Sequence, residues 1–111
     1  MAVAMVMEWQ GMTQDQYEQV LKVMELDNEP PDGGIFHLAG PGLDGWRVID
    51  IWESQEAFER FQNERLGSAA AEAGLLGEPR IQIFPIHNIY APGVEEIQRI
   101  GATSLPSGAR V

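Results

Sequence analysis

Asp50, His37 and His87 are the residues of this chain that packing alone explains least. Asp50 interrupts an otherwise apolar and aromatic run, GWRVIDIW, and alternates with Val48 and Trp52, so the three share one face of a strand. If that face borders a space between subunits, Asp50 is a partly desolvated carboxylate and fits the role of a general base. The plainer alternative pairs it with Arg47, Arg80 or a backbone amide. His37 lies in the run IFHLA and His87 closes RIQIFPIH, so both histidines are expected in strands. Imidazole exchanges protons near neutral pH, although each ring could equally be a satisfied core or rim histidine. The face that His37 takes depends on hairpin register, and a slip of one residue reverses it. Trp9, Trp46 and Trp52, with Met7 and Met5 beside them, either line an aromatic cavity that stacks on a flat molecule or pack a dimer interface.

Other chemistries find little support. Gly40, Gly42 and Gly45 spell G-x-G-x-x-G, but a strand follows them where a dinucleotide site needs a helix, so the glycines serve a turn. His37, His87 and Asp50 match a two-histidine, one-carboxylate metal set by type, yet their spacing carries no motif. No serine stands in a nucleophile-elbow context. The absence of cysteine removes disulfides, thiolate nucleophiles and cysteine-held metals.

The elements that position these residues follow from periodicity. Residues 2–9, AVAMVMEW, read as a first strand that ends at Gly11. Thr13 and Gln16 have capping-box spacing, and Tyr17, Val20, Leu21 and Met24 form one apolar stripe on the helix that follows. Residues 28–34, NEPPDGG, are a loop. Residues 35–39 and 46–53 form a hairpin through the turn GPGLDG. Ser54 caps a second helix over residues 55–66, with Gly67 expected to interrupt it and residues 68–73 to add a further turn. Residues 80–87 form a fourth strand, and Pro85 marks it as an edge or a strand end. The order β-α-β-β-α-β is the α+β, ferredoxin-like arrangement. This domain covers residues 1–88. A tail over 89–111 carries a short helix with Val94, Ile97 and Ile100 on its apolar side and Gly101 after its end.

Composition narrows the partners. The net charge of −10, from 17 acids against 7 bases, repels phosphate backbones and anionic lipid, so nucleic acid and membranes are not expected. No apolar run approaches the ~20 residues of a bilayer span, and MAVAMVM is too short for a signal sequence, which points to the cytoplasm. Two helices cover one face of a four-stranded sheet, yet both faces are apolar. The face bearing Trp46, Val48 and Trp52 is therefore expected to be covered by a second copy, giving a homodimer with a space between the sheets.

GWRVIDIWES followed by EAFERF, the hairpin FHLAGP and the closing IQIFPIHN together resemble the small dimeric α+β barrel proteins related to the antibiotic biosynthesis monooxygenase family. The resemblance covers about residues 2–88, and its most specific part is the strand–Trp–Glu–Ser–helix junction. It implies the fold, a dimeric α+β barrel, more strongly than the chemistry, because that superfamily includes cofactor-free monooxygenases, haem-degrading enzymes, polyketide cyclases and proteins of no known activity. The Asn-plus-His pair that haem-degrading members lead one to expect is not found. The first expectation is a cofactor-independent monooxygenase acting on a flat aromatic molecule, with Asp50 or His37 taking a phenolic proton and the tryptophans holding the ring. A cyclase or isomerase would use the same parts. A binding or assembly protein without turnover is the reading of another class, in which tryptophans and tail fill the cavity as lid or plug. Haem held by a histidine is a third reading.

Overall fold

A computed structural model describes residues 1–26 and 28–104. The elements are β1 (Val3–Gln10), α1 (Gln14–Met24), β2 (Gly34–Pro41), β3 (Gly45–Trp52), α2 (Gln55–Phe61), a π-helical turn (Gln62–Leu66), α3 (Gly67–Glu72), β4 (Arg80–Pro85) and α4 (Val94–Ser104). The four strands form one antiparallel sheet in the order β2-β3-β1-β4, with α1 and the α2–α3 stretch across one face. This is the α+β, ferredoxin-like arrangement that the sequence predicts. Among the described residues, no helix is long and apolar enough to cross a membrane.

Local chemistry sets the boundaries. The Thr13 hydroxyl accepts from the Gln16 amide at 3.1 Å, and the Gln16 side chain accepts from the Thr13 amide at 3.0 Å, which is the expected capping box. The Ser54 hydroxyl likewise accepts from the Ala57 amide at 3.0 Å and starts α2 immediately after β3. Gly42 and Gly45 close the hairpin, as expected, with the Gly42 amide bonded to the Gly45 carbonyl at 2.9 Å. A side chain at Gly45 would meet the Trp9 carbonyl 2.1 Å from its Cβ, so β1 and β3 approach there only because the residue is glycine.

Two sequence expectations fail along the helices. Gly67 does not interrupt the second helix. It has helical dihedrals, and its amide bonds to the Gln62 carbonyl five residues back. The chain passes from α-helix through one π turn to α-helix without a break. Gly101 does not end the tail helix either, because α4 continues to Ser104. A lone glycine costs a helix only about 1 kcal/mol, which neighbouring turns absorb. The tail beyond Ser104 lies outside the described residues.

The core sits between sheet and helices. Val3, Met5, Met7 and Trp9 of β1 point into it, together with Trp52 of β3. Val20, Leu21 and Met24 of α1 and Ala57 and Phe58 of α2 close it from above. Met5 and Phe58 are each only 1% exposed. Ala69 and Ala70 of α3 are buried too, and their small side chains let α3 lie close to α1.

The register overturns one expectation. Trp46, Val48, Asp50 and Trp52 pair with Trp9, Met7, Met5 and Val3, so the tryptophan face lies under the chain's own helices. The face left open carries Ala4, Val6, Ile49 and Ile51, together with Leu38 and Phe84, which are 46% and 52% exposed. The space next to Asp50 is therefore internal to one chain and does not lie between two sheets.

Candidate functional site

β2 and β3 bring His37 directly opposite Asp50. The hairpin register thus places His37 on the helix side, a choice that periodicity leaves open. His37 Nδ1 lies 2.6 Å from Asp50 Oδ1, and the indole N–H of Trp52 donates to Asp50 Oδ2 at 3.0 Å. Both carboxylate oxygens are therefore engaged, which accounts for an acid only 6% exposed on an apolar strand. Neither Arg47 nor Arg80 pairs with it. Arg47 instead reaches Glu8 across the open face at 4.0 Å.

The third member of the constellation comes from α1. Tyr17 Oη lies 2.5 Å from His37 Nε2. The two rings lie nearly parallel, with centroids 6.0 Å apart, and Tyr17 leans on Trp46 at 5.3 Å. Sequence periodicity places Tyr17 correctly on the inner stripe of α1 but assigns it only to packing. The available signal was its hydroxyl, since a tyrosine on a buried stripe normally finds a polar partner.

Proton positions follow from chemistry. An ionised carboxylate only accepts, so in a neutral His37 Nδ1 carries the hydrogen toward Asp50 and Nε2 accepts from the Tyr17 hydroxyl. Burial pushes the Tyr17 phenol well above its ordinary value, and the negative charges of Asp50 and then Glu18 add to this. Tyr17 is thus held as a neutral donor. The line carboxylate–imidazole–hydroxyl follows the logic of triads in which an acid fixes the imidazole that accepts a hydroxyl proton.

A cavity of about 700 Å³ opens beside this line. Its walls are Met5, Met7, Trp9, Trp46, Trp52 and Phe58 on the apolar side and Tyr17, His37 and Asp50 on the polar side. Such a lining, apolar with a few converging polar groups, is typical of small-molecule sites. Phe61 at the end of α2 and Leu66 of the π turn line the same cavity, and the Arg65 guanidinium anchors that turn by donating to the Met24 carbonyl at 2.6 Å. The three tryptophans differ in detail. The Trp9 indole donates to the Leu76 carbonyl at 3.3 Å, Trp52 holds Asp50, and the buried Trp46 indole nitrogen has no hydrogen-bond partner among the described residues.

His87 does not join them. β4 ends at Pro85, the Ile86 amide makes one further bond to the Ala2 carbonyl at 3.0 Å, and His87 follows as an exposed residue outside the cavity. The three-residue metal set expected as an alternative is therefore not assembled. No cluster of three metal-ligating side chains occurs among the described residues. Among the described residues of the tail, Gly101 of α4 lines the cavity.

No family model matches the sequence, and no curated protein sequence matches it. Solved structures do. The cofactor-independent oxygenase SnoaB from Streptomyces nogalater superposes with a TM-score of 0.56 at 18% identity, covering 79% of this chain and 95% of that one. A dimeric ferredoxin-like protein of unknown function from Thermobifida fusca gives 0.54 at 18% identity, over 78% and 92% of the two chains. The NE2512 protein of unknown function from Nitrosomonas europaea gives 0.59 at 15% identity, over 83% and 94%. At these identities the likeness is one of architecture, and it agrees with the resemblance read from the junction around Trp52 and Ser54: the chain has the ferredoxin-like α+β fold that SnoaB also has.

Proposed function

We propose that this chain is an enzyme that removes a proton from a flat aromatic hydroxyl compound bound in the cavity between sheet and helices. The observation that carries this reading is the line Asp50–His37–Tyr17 along the cavity wall, with contacts of 2.6 and 2.5 Å. A substrate hydroxyl placed against Tyr17 passes its proton to the phenol oxygen as Tyr17 passes its own to His37 Nε2. Asp50 stabilises the imidazolium that results. The raised proton affinity of Tyr17 keeps the transfer concerted, because a free phenolate would be costly in this site. Met5, Met7 and the tryptophans exclude water and hold the ring.

The likeness to a cofactor-independent oxygenase favours dioxygen as the second reactant. The anion gives an electron to dioxygen, and the two radicals combine at a ring carbon bearing hydrogen. The peroxide anion that forms takes back the proton held by Tyr17 and His37, and the resulting hydroperoxide loses water as its O–O bond breaks and its carbon gives up the C–H hydrogen. In sum, the ring C–H carbon, the hydroxyl hydrogen and O₂ become a ring C=O carbon and H₂O.

The test is turnover of a panel of tricyclic phenols and anthrones, followed by oxygen uptake and quinone absorbance. Asp50→Asn should lower the rate by about 10²–10⁴-fold, as loss of a general-base assembly does. An unchanged rate would remove the relay from the mechanism. Proton abstraction with no oxygen uptake would identify a cyclase or isomerase instead.

The open face supports a homodimer. An apolar surface of this kind, with Leu38 46% exposed and Phe84 52% exposed, is what a second sheet covers in a face-packed pair. A structure of the same fold is described as dimeric. Native mass spectrometry of the full chain should give twice the subunit mass of 12.3 kDa, and a monomer at micromolar concentration would overturn the pairing.

A further inference from the structure

The cavity carries a charge pattern as well as a shape. Among the described residues that line it there is no lysine or arginine, and the acidic ones are Glu18 and Asp50. Asp50 cannot turn away, because His37 and Trp52 hold its two oxygens. Glu18 is held at the rim by the Gln14 side-chain amide at 3.0 Å. The two carboxylates act on the same point, since both raise the proton affinity of Tyr17. The chain as a whole, at −10, adds a field of the same sign.

We propose that the site selects an uncharged phenol or ketone and rejects the same skeleton when it carries a carboxylate. This rests on the reading above that the cavity takes flat phenols. An anionic ligand would give up its hydration, meet two like charges and find no guanidinium or ammonium to pair with. Transfer of an unpaired charge into such a wall is unfavourable. An uncharged phenol suffers none of this and still offers a hydroxyl to Tyr17. The reaction that supplies the substrate must already have removed or masked any carboxylic acid, by decarboxylation or by lactone or ester formation.

The test is calorimetric titration of the full chain with two probes of matched shape, 2-naphthol and 6-hydroxy-2-naphthoate, near neutral pH and at low salt. The carboxylated probe should bind at least ~10-fold more weakly. Glu18→Lys places a cation at the rim and should narrow the gap to about threefold, and Glu18→Gln should narrow it less. Equal affinity of the two probes for the unmodified chain would overturn the selectivity while leaving the cavity reading intact. Binding of neither probe would overturn both. A gap unmoved in both Glu18 variants would overturn the assignment of the rejection to the cavity's charge.

Discussion

On β3, residues 46, 48, 50 and 52 point under the helices, while residues 47, 49 and 51 point away from them. Both sets are rich in large apolar side chains. The helix side holds two tryptophans, a valine and a buried acid, whereas the open side holds two isoleucines and an arginine. What differs is the cover. One face meets Phe58, Val20 and Leu21 of its own chain, and the other keeps Leu38 and Phe84 about half exposed. Apolarity alone thus does not identify a site. The helix side becomes one because its covering helix contributes a hydroxyl, Tyr17, that completes a polar line in an apolar wall.

The largest expected effect contrasts the two covers directly. Phe58→Ala should cost about 3–5 kcal/mol at any protein concentration, because the side chain is fully buried within one chain. Phe84→Ala should cost less in a monomer and should depend on concentration in a dimer, since only a second copy would bury that ring. Urea unfolding at two protein concentrations checks both. A concentration-independent loss of similar size at both positions would break the contrast between the faces.

A second prediction concerns Tyr17 alone. Its folded-state proton affinity is raised above the unfolded value of 10.0, so the native state binds that proton more tightly than the unfolded chain does. The resulting stability is fully present below about pH 10 and falls as pH rises toward the folded value, because the unfolded state releases the proton first. Tyr90→Phe leaves Tyr17 as the only tyrosine, one of two in the sequence. In that variant, phenolate absorbance should appear only as the fold is lost at alkaline pH. An ordinary titration with the fold intact would show that α1 does not seal the hydroxyl against water.

Much of this organisation is legible in the residues. The Thr13–Gln16 capping box, the Ser54 cap, the glycine turn and the order of elements rest on local chemistry, which a sequence displays directly. The sidedness of the sheet is not local. A period of two separates Trp46 and Asp50 from Ile49 and Ile51, but it does not say which set the helices cover. The charges held the clue. Glu8 alternates with Met7 and Trp9, and Arg47 alternates with Trp46 and Val48, so the charged pair marks the side away from the helices. The partnership of His37 and Asp50 depends on hairpin register, and that of Tyr17 on how α1 crosses the sheet. Both are long-range facts that no spacing encodes. His87 misled for the reverse reason. Its apolar neighbours read as strand, while β4 ends at Pro85 and the last bond toward β1 is the one from Ile86 to the Ala2 carbonyl.

That charged row yields the smallest effect and the finest discrimination between the faces. Glu8 sits opposite Arg47 on β3 and Arg80 on β4, forming a line of alternating sign across three strands of the open face. The Glu8–Arg47 pair is 4.0 Å apart with both side chains 44% exposed, a geometry in which water screens most of the attraction. A double-mutant cycle through Glu8→Gln and Arg47→Gln should therefore give a coupling of no more than about 0.5 kcal/mol in a monomer. If a second sheet covers the row, the same pair loses water and its coupling rises with dimer occupancy, because less solvent lies between the charges. A coupling that stays small while the protein is demonstrably dimeric would place this row at the rim of the interface. The apolar part of the open face, around Ile49, Ile51 and Phe84, would then be what the partner covers.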